Sequence, residues 1–124
     1  MIKSLVVEDD PDVLSTVSKM LGSAGHEVIA ASTTTEAIAA VNDTPDLDMA
    51  IVDFWLAGQH VLPTLEEMLQ VRPDLPVLVI SGGRKGFSLE KTDAVSSLTG
   101  SREFLQKPFT RAQLLGKVDQ LLSA

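Results

Sequence analysis

At 124 residues, with 44% apolar and 22% charged residues, the chain has the length and composition of one soluble globular domain with a proper core. Seventeen acids against ten bases leave a net charge of −7, which argues against the basic face of a nucleic-acid binder, and no apolar run reaches the length of a membrane span. Cysteine is absent, which excludes a disulfide framework, thiol chemistry and thiolate metal sites.

Residues 2–7, Ile-Lys-Ser-Leu-Val-Val, read as a first strand. Glu8-Asp9-Asp10 cuts this stretch short, so it does not read as a signal peptide, and a cytoplasmic location is expected. Asp10 has the chemistry of an N-cap and Pro11 that of a first helical residue. Val13, Val17, Met20, Leu21 and Ala24 then recur at helical spacing, and Gly25 is the stop. Glu27 to Ala31 is a short second strand. Thr33 and Glu36 have capping-box spacing and open a second helix that runs to about Asn42, with a turn over 42–48.

Met49-Ala50-Ile51-Val52-Asp53 is an unbroken apolar run ending in one carboxylate, the pattern of a strand buried on both faces of a parallel sheet. An unpaired acid inside such a strand carries a heavy desolvation cost. At its carboxyl end, where open α/β sheets hold ligands, an acid is tolerable and useful. A loop over 56–60 leads to a third helix through Leu65, Met68 and Leu69, with Pro73 beyond its end. Pro76 to Ser81 is a fourth strand. Residues 82–88 form a glycine-rich loop, and Leu89 to Leu98 a helix with a weak apolar stripe. Arg102 to Gln106 is a fifth strand, ending at Lys107-Pro108. Thr110 and Gln113 open the last helix, whose core face is Leu114, Leu115, Val118, Leu121 and Leu122.

Strands alternating with helices predict right-handed βαβ units. The fold expected is a flavodoxin-like doubly wound (βα)5 domain over residues 1–124: a five-stranded parallel sheet in the order 2-1-3-4-5 with helices on both faces. That order brings Glu8, Asp9 and Asp53 to one edge of the sheet, with Ser81 and Lys107 closing it. Acids gathered in this way call for a cation, and Mg²⁺ is the usual one where oxygen ligands meet phosphate.

The motifs Val6-Val7-Glu8-Asp9-Asp10, Ile51-Val52-Asp53, Val79-Ile80-Ser81-Gly82 and Phe104-Leu105-Gln106-Lys107-Pro108-Phe109 together resemble the receiver domains of two-component response regulators, over essentially the whole chain. The resemblance implies a phosphoprotein of two-component signalling whose Asp53 accepts a phosphoryl group from a histidine kinase or phosphotransfer protein. It implies Mg²⁺ held by Glu8, Asp9, Asp53 and the backbone carbonyl of Trp55. Ser81 would contact the phosphoryl oxygens, and Lys107, next to a cis bond to Pro108, would pair with the phosphorylated aspartate. Phe104 would be the aromatic whose rotamer, with Ser81, reports activation.

Output would pass to a downstream target through the fourth predicted helix, the fifth strand and the last helix, a face that also serves for homodimers in the family. The resemblance implies no direct nucleic-acid or membrane contact, and no enzyme beyond self-phosphorylation and slow autodephosphorylation. The chain ends with its last helix, so a stand-alone receiver is expected.

Two departures stand out against the family pattern. The proline four residues after the phosphoacceptor and the glycine eight residues after it are here Ala57 and Val61. The loop after Ser81 is about four residues longer than usual. These departures keep open a degenerate receiver that binds partners without phosphorylation. A phosphatase with an aspartyl nucleophile is the other rival, but the second acid such enzymes use two residues on is replaced by Trp55. His26 and His60 read as surface residues, and Gly82-Gly83-Arg84-Lys85-Gly86 lacks the lysine-hydroxyl ending of a P-loop.

Overall fold

An apolar sheet with acids at one end is what the sequence asks for, and the chain folds around such a sheet. The computed structural model describes residues 1–81 and 102–123. The glycine-rich loop and the weak fourth helix expected over 82–98 lie outside the described residues. The strands of the main sheet are β1 (Lys3–Val7), β2 (Glu27–Ala31), β3 (Met49–Asp53), β6 (Val77–Ser81) and β7 (Arg102–Gln106). They pair in parallel in the order β2-β1-β3-β6-β7. Counted along the chain without the hairpin described below, this is the expected order 2-1-3-4-5.

Helices α1 (Pro11–Ser23), α2 (Thr34–Asp43), α3 (Leu62–Val71) and α4 (Arg111–Ser123) cover the two faces. Successive strand residues point to opposite faces, and the core divides accordingly. Leu5, Val7, Ala50, Val52, Val77 and Val79 pack with Ala37 and Val41 of α2 and with Leu65, Met68 and Leu69 of α3. Val6, Met49, Ile51, Leu78 and Ile80 pack with Val17 and Leu21 of α1 and with Leu114, Val118 and Leu121 of α4. Every residue of β3 is buried, Asp53 included. Among the described residues, no helix is long and apolar enough to cross a membrane.

Local signals explain where the helices start. Asp10 caps α1, its carboxylate accepting from the Asp12 and Val13 N–H groups, and Pro11 opens the first turn. Gly25 follows α1 with φ +90, a conformation glycine adopts without steric cost. Thr110 and Gln113 form a reciprocal capping box at α4: Gln113 N–H donates to Thr110 Oγ1 (3.1 Å) and Thr110 N–H to Gln113 Oε1 (2.9 Å). At α2, Thr33 Oγ1 accepts from Glu36 N–H as expected. The Glu36 carboxylate reaches Ser32, accepting from its N–H at 2.7 Å and its hydroxyl at 2.9 Å.

Three expectations need correction. Residues 56–60 are not a plain loop. Trp55–Leu56 (β4) and Gln59–His60 (β5) form an antiparallel hairpin with Ala57 and Gly58 at its tip. Both tip residues have positive φ, +52 and +80, as a type I′ turn requires, and that turn matches the right-handed twist of paired strands. His26 is half-buried rather than superficial. Its Nδ1 lies 2.8 Å from the hydroxyl of buried Ser4, and burial lowers its pKa against the opposing pull of Asp119 and Asp48. Ala24, expected on the buried face of α1, is its exposed C-cap, the helix ending at Ser23.

Candidate functional site

The carboxyl ends of β1, β3 and β7 are each fastened to a neighbouring strand just where the polar residues begin. Glu8 N–H donates to the Ala31 carbonyl, Phe54 N–H to the Ile80 carbonyl, and Lys107 N–H to the Ser81 carbonyl (2.7 Å). These bonds extend the ladders one residue past the strands, so the side chains of 8, 53, 81 and 107 rise from fixed backbone. The register places Asp53 opposite Ile80 and Ser81 opposite Gln106. The bond between Lys107 and Pro108 is cis.

Glu8, Asp9 and Asp53 each bring a carboxylate oxygen within 4.8 Å of the others. Glu8 is fully buried, Asp53 is 6% exposed and Asp9 lies at the surface. Lys107 Nζ reaches into this cluster, donating to Glu8 Oε1 at 2.7 Å and to Asp53 Oδ2 at 3.4 Å. Burial, reinforced by the neighbouring Asp53, pushes the Glu8 carboxyl up to about 7, although the Lys107 ammonium works against it. Burial pulls Lys107 down, but its bond to Glu8 and the charge of Asp53 outweigh it, and the net shift is upward.

Three further carboxylate oxygens have main-chain partners. Trp55 N–H approaches Asp53 Oδ1 at 3.4 Å, Asp10 N–H approaches Glu8 Oε2 at 3.3 Å, and Ala57 N–H donates to Asp9 Oδ2 at 3.1 Å. Val61 N–H bonds the Phe54 carbonyl, and Leu56 pairs with Gln59. Ladder bonds therefore fall on residues 54 and 56, and the Trp55 main chain faces the other side, where its N–H meets Asp53. The Trp55 ring stands edge-on to Phe54, centroids 5.4 Å apart.

Ser81 is fully buried, and its hydroxyl has no hydrogen-bond partner among the described residues. Leaving a buried hydroxyl unsatisfied costs about 1–3 kcal/mol, so such a group marks a place where a polar ligand belongs. Phe104 is half-buried on β7, opposite Val79, and packs against the core layer of α2 and α3.

Of the residues singled out in the sequence, Glu8, Asp9, Asp53 and Lys107 thus converge directly. Ser81 joins them through its backbone, and Trp55 flanks Asp53. Asp10 is occupied as a helix cap. Ala57 stood out in the sequence as a departure from the family pattern, but not for its N–H, which holds Asp9 from 48 residues away. A Gly one place before a strand-like pair was the only available signal, and alanine is not a residue that announces a positive φ.

The chemistry of the donors suits a hard divalent cation: three carboxylates and a main-chain segment, with no sulfur or imidazole in the cluster. Glu8, Asp9 and Asp53 would hold it, and the Ser81 hydroxyl, unpartnered among the described residues, would meet an oxygen-rich ligand.

Comparison with known proteins finds one family model, response regulator receiver domain, matching residues 4–119. The transcriptional regulatory protein YrkP of Bacillus subtilis is 31% identical over 114 residues, 92% of this chain and 46% of that protein. The virulence transcriptional regulatory protein PhoP of Salmonella typhimurium is 31% identical over 123 residues, 98% of this chain and 52% of its own length. The chain thus spans about half the length of such curated relatives. Among solved structures, the chemotaxis protein CheY4 of Vibrio cholerae superposes with TM-score 0.87 at 25% identity, covering 98% of this chain and 99% of that one. NtrX of Brucella abortus superposes with TM-score 0.83 at 32% identity, covering 99% of this chain and 26% of that one.

Proposed function

The chain belongs to the response regulator receiver domain family, and from that premise we propose that Asp53 is its phosphoacceptor, taking a phosphoryl group from a histidine kinase or phosphotransfer protein. The observation that carries this reading is the convergence of Lys107, Glu8 and Asp53 on one buried spot, at the strand ends where the buried Ser81 hydroxyl has no hydrogen-bond partner among the described residues.

An Asp53 oxygen attacks phosphorus, an acyl phosphate forms, and the P–N bond of a donor phosphohistidine breaks with its electron pair leaving on the imidazole. The transferring group needs little beyond alignment and charge neutralisation. Glu8, Asp9, Asp53 and the Trp55 carbonyl would hold Mg²⁺, which would supply most of that neutralisation. Lys107 is a compact charge on a flexible stem, suited to a partner that changes from carboxylate to phosphate. Ser81 donates its hydroxyl to a phosphoryl oxygen. Phosphorylation adds about −1.5 to −2 charge, and the resulting pull on Ser81, followed by rotation of Phe104, carries the signal to a target protein through the β7–α4 side.

Intact mass measured with Mg²⁺ and a small phosphodonor tests the reading. One added phosphoryl group, absent without Mg²⁺ and absent in Asp53→Asn, is expected. No addition under any condition would favour a receiver that works without phosphorylation. Continuous turnover of a phosphate ester would point to a phosphatase.

A further inference from the structure

We infer that the hairpin at 55–60 is a positioning device for Asp9, with the Ala57 main-chain N–H as the group that aims this carboxylate into the acidic cluster. The inference rests on the reading of Asp9 as a metal ligand and adds what holds it there. Glu8 and Asp53 need no such help, since both are buried and both are bonded to Lys107. Asp9 is exposed, and among the described residues its carboxylate accepts one hydrogen bond, from Ala57 N–H at 3.1 Å.

That bond depends on an uncommon backbone. Ala57 sits at φ +52, in the left-handed region that a Cβ disfavours, and turns its N–H toward Asp9 while the chain reverses. Non-glycine residues in this region persist where the surroundings over-determine them, and such sites cluster at ligand clamps. Here Gly58 shares the turn at φ +80, and Val61 N–H on the Phe54 carbonyl (2.7 Å) closes the base of the hairpin. Proline at 57 would be incompatible twice over: its φ is locked near −65°, and it has no N–H. The absence of proline at 57 is therefore what permits a donor at this place.

Partners that orient metal ligands typically change metal affinity by about 10–100-fold when removed. Titration of Mn²⁺ and Mg²⁺ followed by Trp55 fluorescence would compare the wild type with Ala57→Gly, Ala57→Asn and Ala57→Pro. Glycine and asparagine keep the N–H and tolerate the left-handed conformation, so their affinity should stay within about twofold of wild type. Proline should weaken it by roughly tenfold.

Because Ala57→Pro disturbs the hairpin itself, the wild-type amide is followed as well. On saturation with Mg²⁺ the ¹H–¹⁵N resonance of Ala57 should move more than those of Gly58 and Gln59, and Asp9→Asn should abolish that movement. Equal affinity of Ala57→Pro and wild type, or an Ala57 amide unmoved by saturating Mg²⁺, would overturn the inference alone. No saturable binding by the wild type would overturn the metal reading and this inference with it.

Discussion

Lys107 is the residue on which the charge balance of the resting site turns. Its ammonium stands between two buried carboxylates, 2.7 Å from one and 3.4 Å from the other. Removing one member of a buried ionic group leaves the rest uncompensated. Lys107→Met should therefore destabilise the metal-free protein by about 2 kcal/mol at pH 8, the figure being discounted because the lysine is partly exposed. The cost should shrink on acidification.

Glu8 is an acid whose folded pKa, about 7, lies above its ordinary 4.5. Between those values the native state binds more protons than the unfolded state, so stability falls as pH rises through the window. Without Lys107 the native carboxyl is driven further up, and the fall extends to higher pH. Urea denaturation of both proteins at pH 5.5 and pH 8 reads this directly. An equal loss at both values would contradict the charge assignment.

At the scale of elements, the structure separates what short-range chemistry announces from what pairing decides. The caps were legible because each uses a local code: Asp10 before Pro11, Gly25 after α1, Thr110 with Gln113. Thr110→Ala and Asp10→Ala should each cost about 1 kcal/mol, read as a lowered melting temperature, with Asp10→Asn close to neutral. Asp53 and Glu8 were legible for a related reason, since each ends an apolar strand, whereas Lys107 follows a largely polar strand and was legible through the motif it shares with the family. The hairpin was not legible. Two-residue strands carry no periodicity, and a positive φ at alanine is imposed by the turn's twist rather than preferred by the side chain. His26 escaped as well, because its polar partner, Ser4, lies on the neighbouring strand β1, 22 residues away in sequence.

For the whole molecule, the strand order was readable because alternation leaves few topologies. The two core layers followed from residues that change face at every step along β1, β3 and β6. The same order has a kinetic consequence. β1 and β7 lie on opposite flanks of the β3–β6 pair, and the ion pair across them joins residues 99 apart in the chain. Glu8 and Asp53 can meet once the first three strands have paired, well before the cation that offsets them is delivered by the last strand. Long loops must close before such contacts reward them. At a pH high enough to ionise Glu8 without its lysine, partly assembled chains thus hold two like charges in a drying interior, and the final strand arrives as their neutraliser. Refolding in dilute buffer should accelerate when NaCl is raised from 10 to 300 mM, roughly the range over which the Debye length drops from about 30 Å to below 8 Å. The acceleration should be largely lost in Glu8→Gln. If stopped-flow refolding proves indifferent to salt in both proteins, the acids do not meet before the last strand docks.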